Sequence, residues 1–361
     1  MKTIEVKVKD KSCPVIIQEG VVTRLGALIR DRLKTDRVMA IVDRNVAHHH
    51  GRVLRRALKQ GGVRVLLWME VPPGERSKSL PRARMIYQRL VEAGADRWTP
   101  IVAVGGGVLG DLAGFVASTF MRGMPLVHVP TTVVAQVDSS VGGKTGVNFA
   151  RAKNVIGTFH QPELVLSDPG LLSTLSARDY RAGLVEAVKV GITLRPDLLK
   201  WMEDGVDLLK ARDPGILRET VTACVEAKGE VVGRDEKDHD VRAILNYGHT
   251  IGHAVEAASL GRLRHGEAVA VGMNAAAWVG ERIGVSAAEV RQRQNELLSR
   301  LGLKLTLPGA DKKVIVRNLK LDKKLRSGKN RFVLTMQCGG ASVWPHISGR
   351  ILRDAVRFVT S

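Results

Sequence analysis

The chain has 361 residues, 44% of them apolar and only 4% aromatic, with 56 Lys and Arg against 36 Asp and Glu for a formal net charge of +20. That length and apolar content can bury a core and suggest two domains, while scattered basic residues with so few rings between them argue against a dedicated nucleic-acid surface. Cys13, Cys224 and Cys338 are odd in number, far apart and without CxxC spacing, which argues against a disulfide framework or a thiolate metal site.

In chain order, residues 1–9 alternate polar and apolar side chains as a strand does, without the apolar run of a signal sequence. No stretch approaches twenty apolar residues, so no membrane partner and a cytoplasmic location are expected. Short apolar runs at 38–43, 64–68, 101–104 and 126–129 read as strands, with helical patterns between them at 53–60 and 80–93. Strands alternating with helices imply a parallel, helix-covered sheet, hence an α/β, Rossmann-like N-terminal domain. After about Asp168-Pro169 the helical period dominates, at 181–190, 216–232, 249–258 and 267–283. The expected division is therefore an α/β domain over 1–167 and a mainly α-helical domain over 168–361, with a late strand at 331–336.

Residues 101–114 carry the first chemical signal. Gly105, Gly107 and Gly110 satisfy G-x-G-x-x-G between an expected strand and an expected helix, where backbone amides can meet a pyrophosphate. The usual dinucleotide fingerprint opens the first βαβ unit and has an acid about twenty residues on. Here the glycines come late and no acid follows, so Asp43, ending an earlier strand, is the better ribose candidate. Residues 129–148 then pass from a strand through hydroxyls to Asp138 and Lys144, which reads as a cation on flexible backbone near a strand's carboxyl end. Lys153 and Asn154 follow closely.

His249 and His253 share a helical face if 249–258 is a helix, as in H-E-x-x-H, but the intervening glutamate is absent. His265, Glu186, Glu256 and Glu267 are further donors, and a catalytic ion takes about three protein ligands. Spacing does not choose among them. The run His48-His49-His50 reads as a solvated loop.

The motifs taken together resemble the 3-dehydroquinate synthases, a branch of the sugar-phosphate cyclases. The resemblance rests on PPGERSKS at 72–79, GGGVLGD at 105–111, PTT at 130–132, DSSVGGKTGVN at 138–148, KNVIG at 153–157, EAVK at 186–189, LNYGHTIGHA at 245–254, HGEAV at 265–269 and LDKK at 321–324. So many motifs in one order are specific where one would not be. The resemblance implies a divalent metal, zinc or cobalt, held by Glu186, His249 and His265, with His253 facing the substrate. It implies NAD against Asp43, Glu75, Lys78, Gly107, Val108, Leu109, Gly110, Asp111, Thr131, Thr132, Lys144, Lys153, Leu171, Leu172, Ser173 and Thr174. Arg122, Asp138, Lys144, Asn154, Lys189, Lys228, Arg242, Asn246 and Lys324 or its neighbour Lys323 would meet the substrate. It also implies a homodimer.

The implied reaction converts 3-deoxy-D-arabino-heptulosonate 7-phosphate to 3-dehydroquinate and phosphate. Oxidation at C5 by NAD acidifies the C6 proton, phosphate leaves, the hydride returns, and ring opening with aldol closure forms the carbocycle. A substrate bearing both carboxylate and phosphate calls for many cations. Two rival enzymes share the apparatus: a cyclase acting on a sugar phosphate without the carboxylate, and a metal-dependent polyol dehydrogenase of related architecture. Lys228, Arg242, Asn246 and His253 together favour the dehydroquinate branch.

Overall fold

The computed structural model describes residues 2–9, 11–150, 152–325 and 332–361, excepting the side chains of 320–325. The chain forms two compact units, Met1–Leu175 with Leu217–Lys237, and Ser176–Ile216 with Asp238–Ser361.

The first unit is a seven-stranded sheet flanked by helices. Its elements are β1 (Lys2–Val8), β2 (Lys11–Ile17), α1 (Leu25–Leu33), β3 (Arg37–Asp43), α2 (Arg44–Gln60), β4 (Arg64–Val71), α3 (Leu80–Glu92), β5 (Ile101–Gly105), α4 (Gly107–Thr119), β6 (Leu126–Pro130), β7 (Lys144–Phe149), β8 (Ala152–Phe159) and β9 (Leu164–Ser167). The sheet order is β1-β2-β9-β6-β5-β3-β4, with β1 antiparallel to β2 and every other pairing parallel. Alternation along β3 explains the layers. Val38, Ala40 and Val42 pack with Leu25, Ile29, Leu54 and Leu58 of α1 and α2. Met39 and Ile41 point the other way, onto Ile86 and Leu90 of α3 and Leu112 and Val116 of α4. A strand covered on both faces has no polar side to display, so it reads as a continuous apolar run.

The second unit is helical: α5 (Ala177–Thr193), α6 (Pro196–Asp204), α7 (Val206–Ala211), α9 (His249–Ala258), α10 (His265–Arg282), α11 (Ala288–Arg300), α12 (Lys312–Leu325) and α13 (Gly349–Thr360), with a hairpin of β10 (Phe332–Thr335) and β11 (Ala341–Trp344). Helix α8 (Pro214–Arg234) starts in this unit, and its residues from Leu217 onward belong to the first. Among the described residues no helix is long and apolar enough to cross a membrane.

Several expectations need adjustment. Residues 168–175 sit with the sheet because the buried Asp168 carboxylate accepts from the amides of Gly20 at 3.0 Å, Val22 at 3.1 Å and Gly170 at 2.9 Å. Residues 217–237 join it through Lys2–Glu226 at 3.2 Å and Gln161 Nε2 donating to Glu236 at 3.0 Å. His48, His49 and His50 are not a loop; they lie in α2, which begins at Arg44 because Asp43 caps it by accepting from the Asn45 amide at 2.8 Å. Lys144 is not on loose backbone either, since it opens β7 of an antiparallel hairpin with β8, in register with Phe159.

His128 on β6 is buried, and burial, with His160 nearby, pushes its imidazole down from 6.5 to about 4. Folded His128 therefore stays neutral where the unfolded residue binds a proton. Its contribution is fully present above about pH 6.5 and is lost as pH falls toward 4. His128→Gln is expected to remove on the order of 2–3 kcal/mol of that acid-side loss of stability, read as a flatter dependence of urea unfolding between pH 6.5 and 4 than in the parent.

Candidate active site

Three helices of the second unit meet through glycine. A Cβ on Gly266, the second residue of α10, would fall 1.8 Å from the carbonyl oxygen of Ala182 on α5. One on Gly272 would fall 2.0 Å from Gly248 O and 2.6 Å from Gly252 N, beside and within α9. Only a residue without a side chain permits that backbone approach. Its consequence is chemical: α5 carries Glu186 one turn after Ala182, α9 begins at His249, and α10 begins at His265.

Glu186 is 1% exposed, and its Oε1 has no hydrogen-bond partner among the described residues. The same oxygen stands 3.6 Å from His249 Nε2 and 3.4 Å from His265 Nε2. Those distances are long for hydrogen bonds. They match a shared ion, because ligands at about 2.0–2.1 Å from a four-coordinate zinc stand roughly 3.3–3.4 Å apart. Two imidazoles and a carboxylate also make a donor set that zinc or cobalt accepts with positions left open. The residues present therefore fit the metal.

The electrostatics suit the same reading. Burial alone would push the Glu186 carboxyl up, but Lys189, whose Nζ lies 2.5 Å from Oε2, and the two imidazoles hold it well below its ordinary value. Burial, with Lys189 and the other imidazoles, pushes His249 down to about 3, against the pull of Glu186. Burial would lower His265, but the carboxylates of Glu186 and Glu256 beside its ring outweigh that and raise it to about 9. His253 belongs to the same cluster: its ring lies 5.2 Å from that of His249 and 5.7 Å from that of His265, and the three histidines offer nitrogens within 4.8 Å of one another. Glu267 is engaged elsewhere, pinned by Nε and Nη2 of Arg178 at 2.7 Å each and accepting from the Arg264 amide. Sequence reading had not anticipated that pin, or the Tyr247 carbonyl 3.0 Å from His249 Nδ1.

Other substrate candidates divide between the units. Lys189, Arg242, Asn246 and His253 belong to the second, where Arg242 is buried. Lys323 and Lys324 lie in the last turn of α12, and their side chains fall outside the described residues. Arg122, Asp138, Lys144, Asn154 and Lys228 belong to the first. Lys228 Nζ reaches Asp138 Oδ1 at 2.5 Å and its carbonyl at 2.6 Å, joining two of them directly. Arg122 and Asn154 both hold left-handed backbone, at φ 63° and 57°, the kind of strain that clusters at functional sites. The Asn154 amide donates to Asn148 Oδ1 at 2.9 Å, and Asn148 Nδ2 donates to Glu75 at 2.8 Å, a role for Asn148 that its sequence position did not reveal.

Lys144 and Lys153 lie on the antiparallel β7–β8 hairpin, while the other cofactor candidates follow the carboxyl ends of the parallel strands. Asp43 ends β3, Gly105 ends β5, Thr131 and Thr132 follow β6, and Leu171 to Thr174 follow β9. The chain runs outward from β3 to β4 and then returns to the other side for β5, β6 and β9, so β3 and β5 flank the switch point where open α/β sheets bind ligands. A Cβ on Gly105 would sit 3.3 Å from that of Asp43. Gly106 caps α4 with extended backbone and without a side-chain hydrogen bond, which leaves first-turn amides for a phosphate. Lys78, 4% exposed, pairs with Asp111 on α4. These residues fit NAD, and the glycine motif comes late because the switch point lies at β5.

His265→Ala is expected to abolish metal retention and turnover together, since it removes one ligand and leaves Glu186 buried with less counter-charge. Metal content of the purified variant by atomic emission, beside its rate, checks this; full zinc with a normal rate would overturn the ligand assignment.

Known proteins resemble this chain over nearly its whole length. Residues 68–182 match the family described as 3-dehydroquinate synthase N-terminal, and residues 183–325 the one described as 3-dehydroquinate synthase C-terminal. A 3-dehydroquinate synthase of Symbiobacterium thermophilum is 44% identical over 352 residues, 97% of each chain. Among solved structures, 2-epi-5-epi-valiolone synthase from Streptomyces hygroscopicus subsp. jinggangensis 5008, with NAD+ and Zn2+ bound, superposes with a TM-score of 0.89 at 28% identity over 98% of each chain. A 2-deoxy-scyllo-inosose synthase complexed with carbaglucose-6-phosphate, NAD+ and Co2+ also gives 0.89, at 29% identity over 99% of this chain and 100% of that one. With both halves matched in order and the metal donors assembled, the chain belongs to the 3-dehydroquinate synthase family.

Proposed function

We propose that the chain converts 3-deoxy-D-arabino-heptulosonate 7-phosphate to 3-dehydroquinate and phosphate, the shikimate-pathway step toward aromatic amino acids, as a phosphate-eliminating lyase dependent on NAD and a divalent metal. The observation that carries this reading is the buried Glu186 oxygen facing the Nε2 atoms of His249 and His265 at 3.6 and 3.4 Å. Bound metal supplies a Lewis acid that lowers the pKa of a coordinated substrate hydroxyl, and NAD supplies a hydride acceptor regenerated within the same turnover.

The chain's own groups have distinct tasks. Lys189 Nζ, 2.5 Å from Glu186, keeps that carboxylate ionised while remaining a donor for substrate oxygens. His253, one helical turn after His249, is assigned the proton at the C5 oxygen, for which an imidazole is suited. Arg122, Lys144 and Asn154 are assigned to the phosphate. Arg242, Asn246 and Lys228 are assigned to the carboxylate and ring hydroxyls, with Asp138 held in place by Lys228.

A homodimer completes the reading. Val155 and Phe159 lie on one face of β8 at 52% and 43% exposure, and Phe149 on the same hairpin is 55% exposed, an apolar surface suited to a second copy. Cys13, Cys224 and Cys338 form no disulfide with one another, which suits a reducing cytoplasm.

The deciding experiment supplies catalytic NAD with the heptulosonate phosphate, with and without chelator. Phosphate release without net NADH, abolished by chelator and restored by zinc or cobalt, is expected. Turnover only of a sugar phosphate lacking the carboxylate would move the chain to another cyclase branch, and accumulating NADH would make it a dehydrogenase. Arg242→Ala should chiefly raise KM for the heptulosonate phosphate, by about 100-fold if a charge-assisted pair worth roughly 2–3 kcal/mol is lost. An unchanged KM would remove the carboxylate role.

A further inference from the structure

Two imidazoles face Glu186, and their far nitrogens are held differently. His249 Nδ1 lies 3.0 Å from the Tyr247 carbonyl, a backbone acceptor fixed by the turn into α9. His265 Nδ1 lies 3.1 Å from Oε2 of Glu256, a carboxylate two turns along α9 from His249. A carbonyl or carboxylate at Nδ1 accepts a hydrogen bond from the proton there, so the neutral form of each ring presents Nε2, the nitrogen facing Glu186, as its lone-pair donor. His249 needs little further restraint, since its side chain is only 11% exposed, whereas that of His265 is 36% exposed and stands at the first residue of α10. Packing covers the second ring less than the first, and the positive end of a helix dipole weakens an imidazole as a lone-pair donor.

We propose that Glu256 is a positioning residue for His265: its carboxylate accepts the Nδ1–H, fixing ring orientation and tautomer and strengthening Nε2 as a metal ligand. The inference rests on the metal-centre reading above and extends it. Glu256 was one of six donors that spacing could not rank; its contact with Nδ1, on the opposite flank of the ring from Glu186, takes it out of the ligand set and gives it a different task. Carboxylate–histidine–metal arrangements of this kind typically change metal affinity 10–100-fold when the carboxylate is removed.

The test uses the full chain stripped of metal and titrated with Co2+ and Zn2+ against a chromophoric chelator, for the parent, Glu256→Ala, Glu256→Gln and His265→Ala. Glu256→Ala is expected to bind both ions about 10–100-fold more weakly. Glu256→Gln, whose amide oxygen still accepts from Nδ1, should recover part of that loss, with a cobalt d–d spectrum close to the parent's. Metal-free unfolding curves show whether each variant folds. Parent-like affinity in Glu256→Ala, or equal losses in the Ala and Gln variants, would overturn the positioning role. Parent protein that binds no metal, or His265→Ala that binds as the parent does, would instead sink the metal centre itself.

Discussion

The site depends on keeping one carboxylate charged where almost no water reaches it. Glu186 is 1% exposed in the middle of α5, and an isolated ion there would cost several kcal/mol. Lys189, a turn along the same helix, offsets that cost from one side, and the imidazoles of α9 and α10 do so from the other. A divalent ion would complete the cluster by satisfying the Glu186 oxygen that has no hydrogen-bond partner among the described residues.

That balance is possible only because the helices approach closely. The glycine contacts of α10 with α5 and α9 set the spacing of Glu186, His249 and His265, so residues with no chemistry of their own decide whether those side chains can meet. The Arg178–Glu267 pair and the Arg264–Asp179 pair at 2.7 Å tie the start of α10 to the start of α5, adding polar restraint where apolar packing thins toward the surface.

The first unit reaches a comparable end by other means. Its parallel strands end together, so residues far apart in sequence share one edge of the sheet, and the uncapped start of α4 offers amides there. The net charge of +20 does not arise from this machinery alone, since exposed basic side chains such as Arg89, Lys200 and Arg218 lie on helices away from it, each paired with a near neighbour in the chain. Such a field still favours a doubly anionic substrate over a neutral one.

The sequence by itself determined the strand-and-helix order, the α/β then helical character, and the family, because apolar periodicity and motif order are local properties of the chain. The bounds of β3, β5, β6, α3 and α9 were legible to within a few residues, since uninterrupted apolar or helical patterns mark them. The start of α2 was not: its His-rich first turns have no apolar signature and are held by the Asp43 cap. The β7–β8 hairpin was missed because glycines obscured its alternation, and the unit boundary because Asp168 and α8 choose their partners through long-range bonds. Six donors for a metal were likewise countable from spacing. Only tertiary structure could rank them, since a ligand is defined by distance across helices: Glu186, His249 and His265 converge, His253 joins the cluster, Glu267 turns to Arg178, and Glu256 stands behind His265.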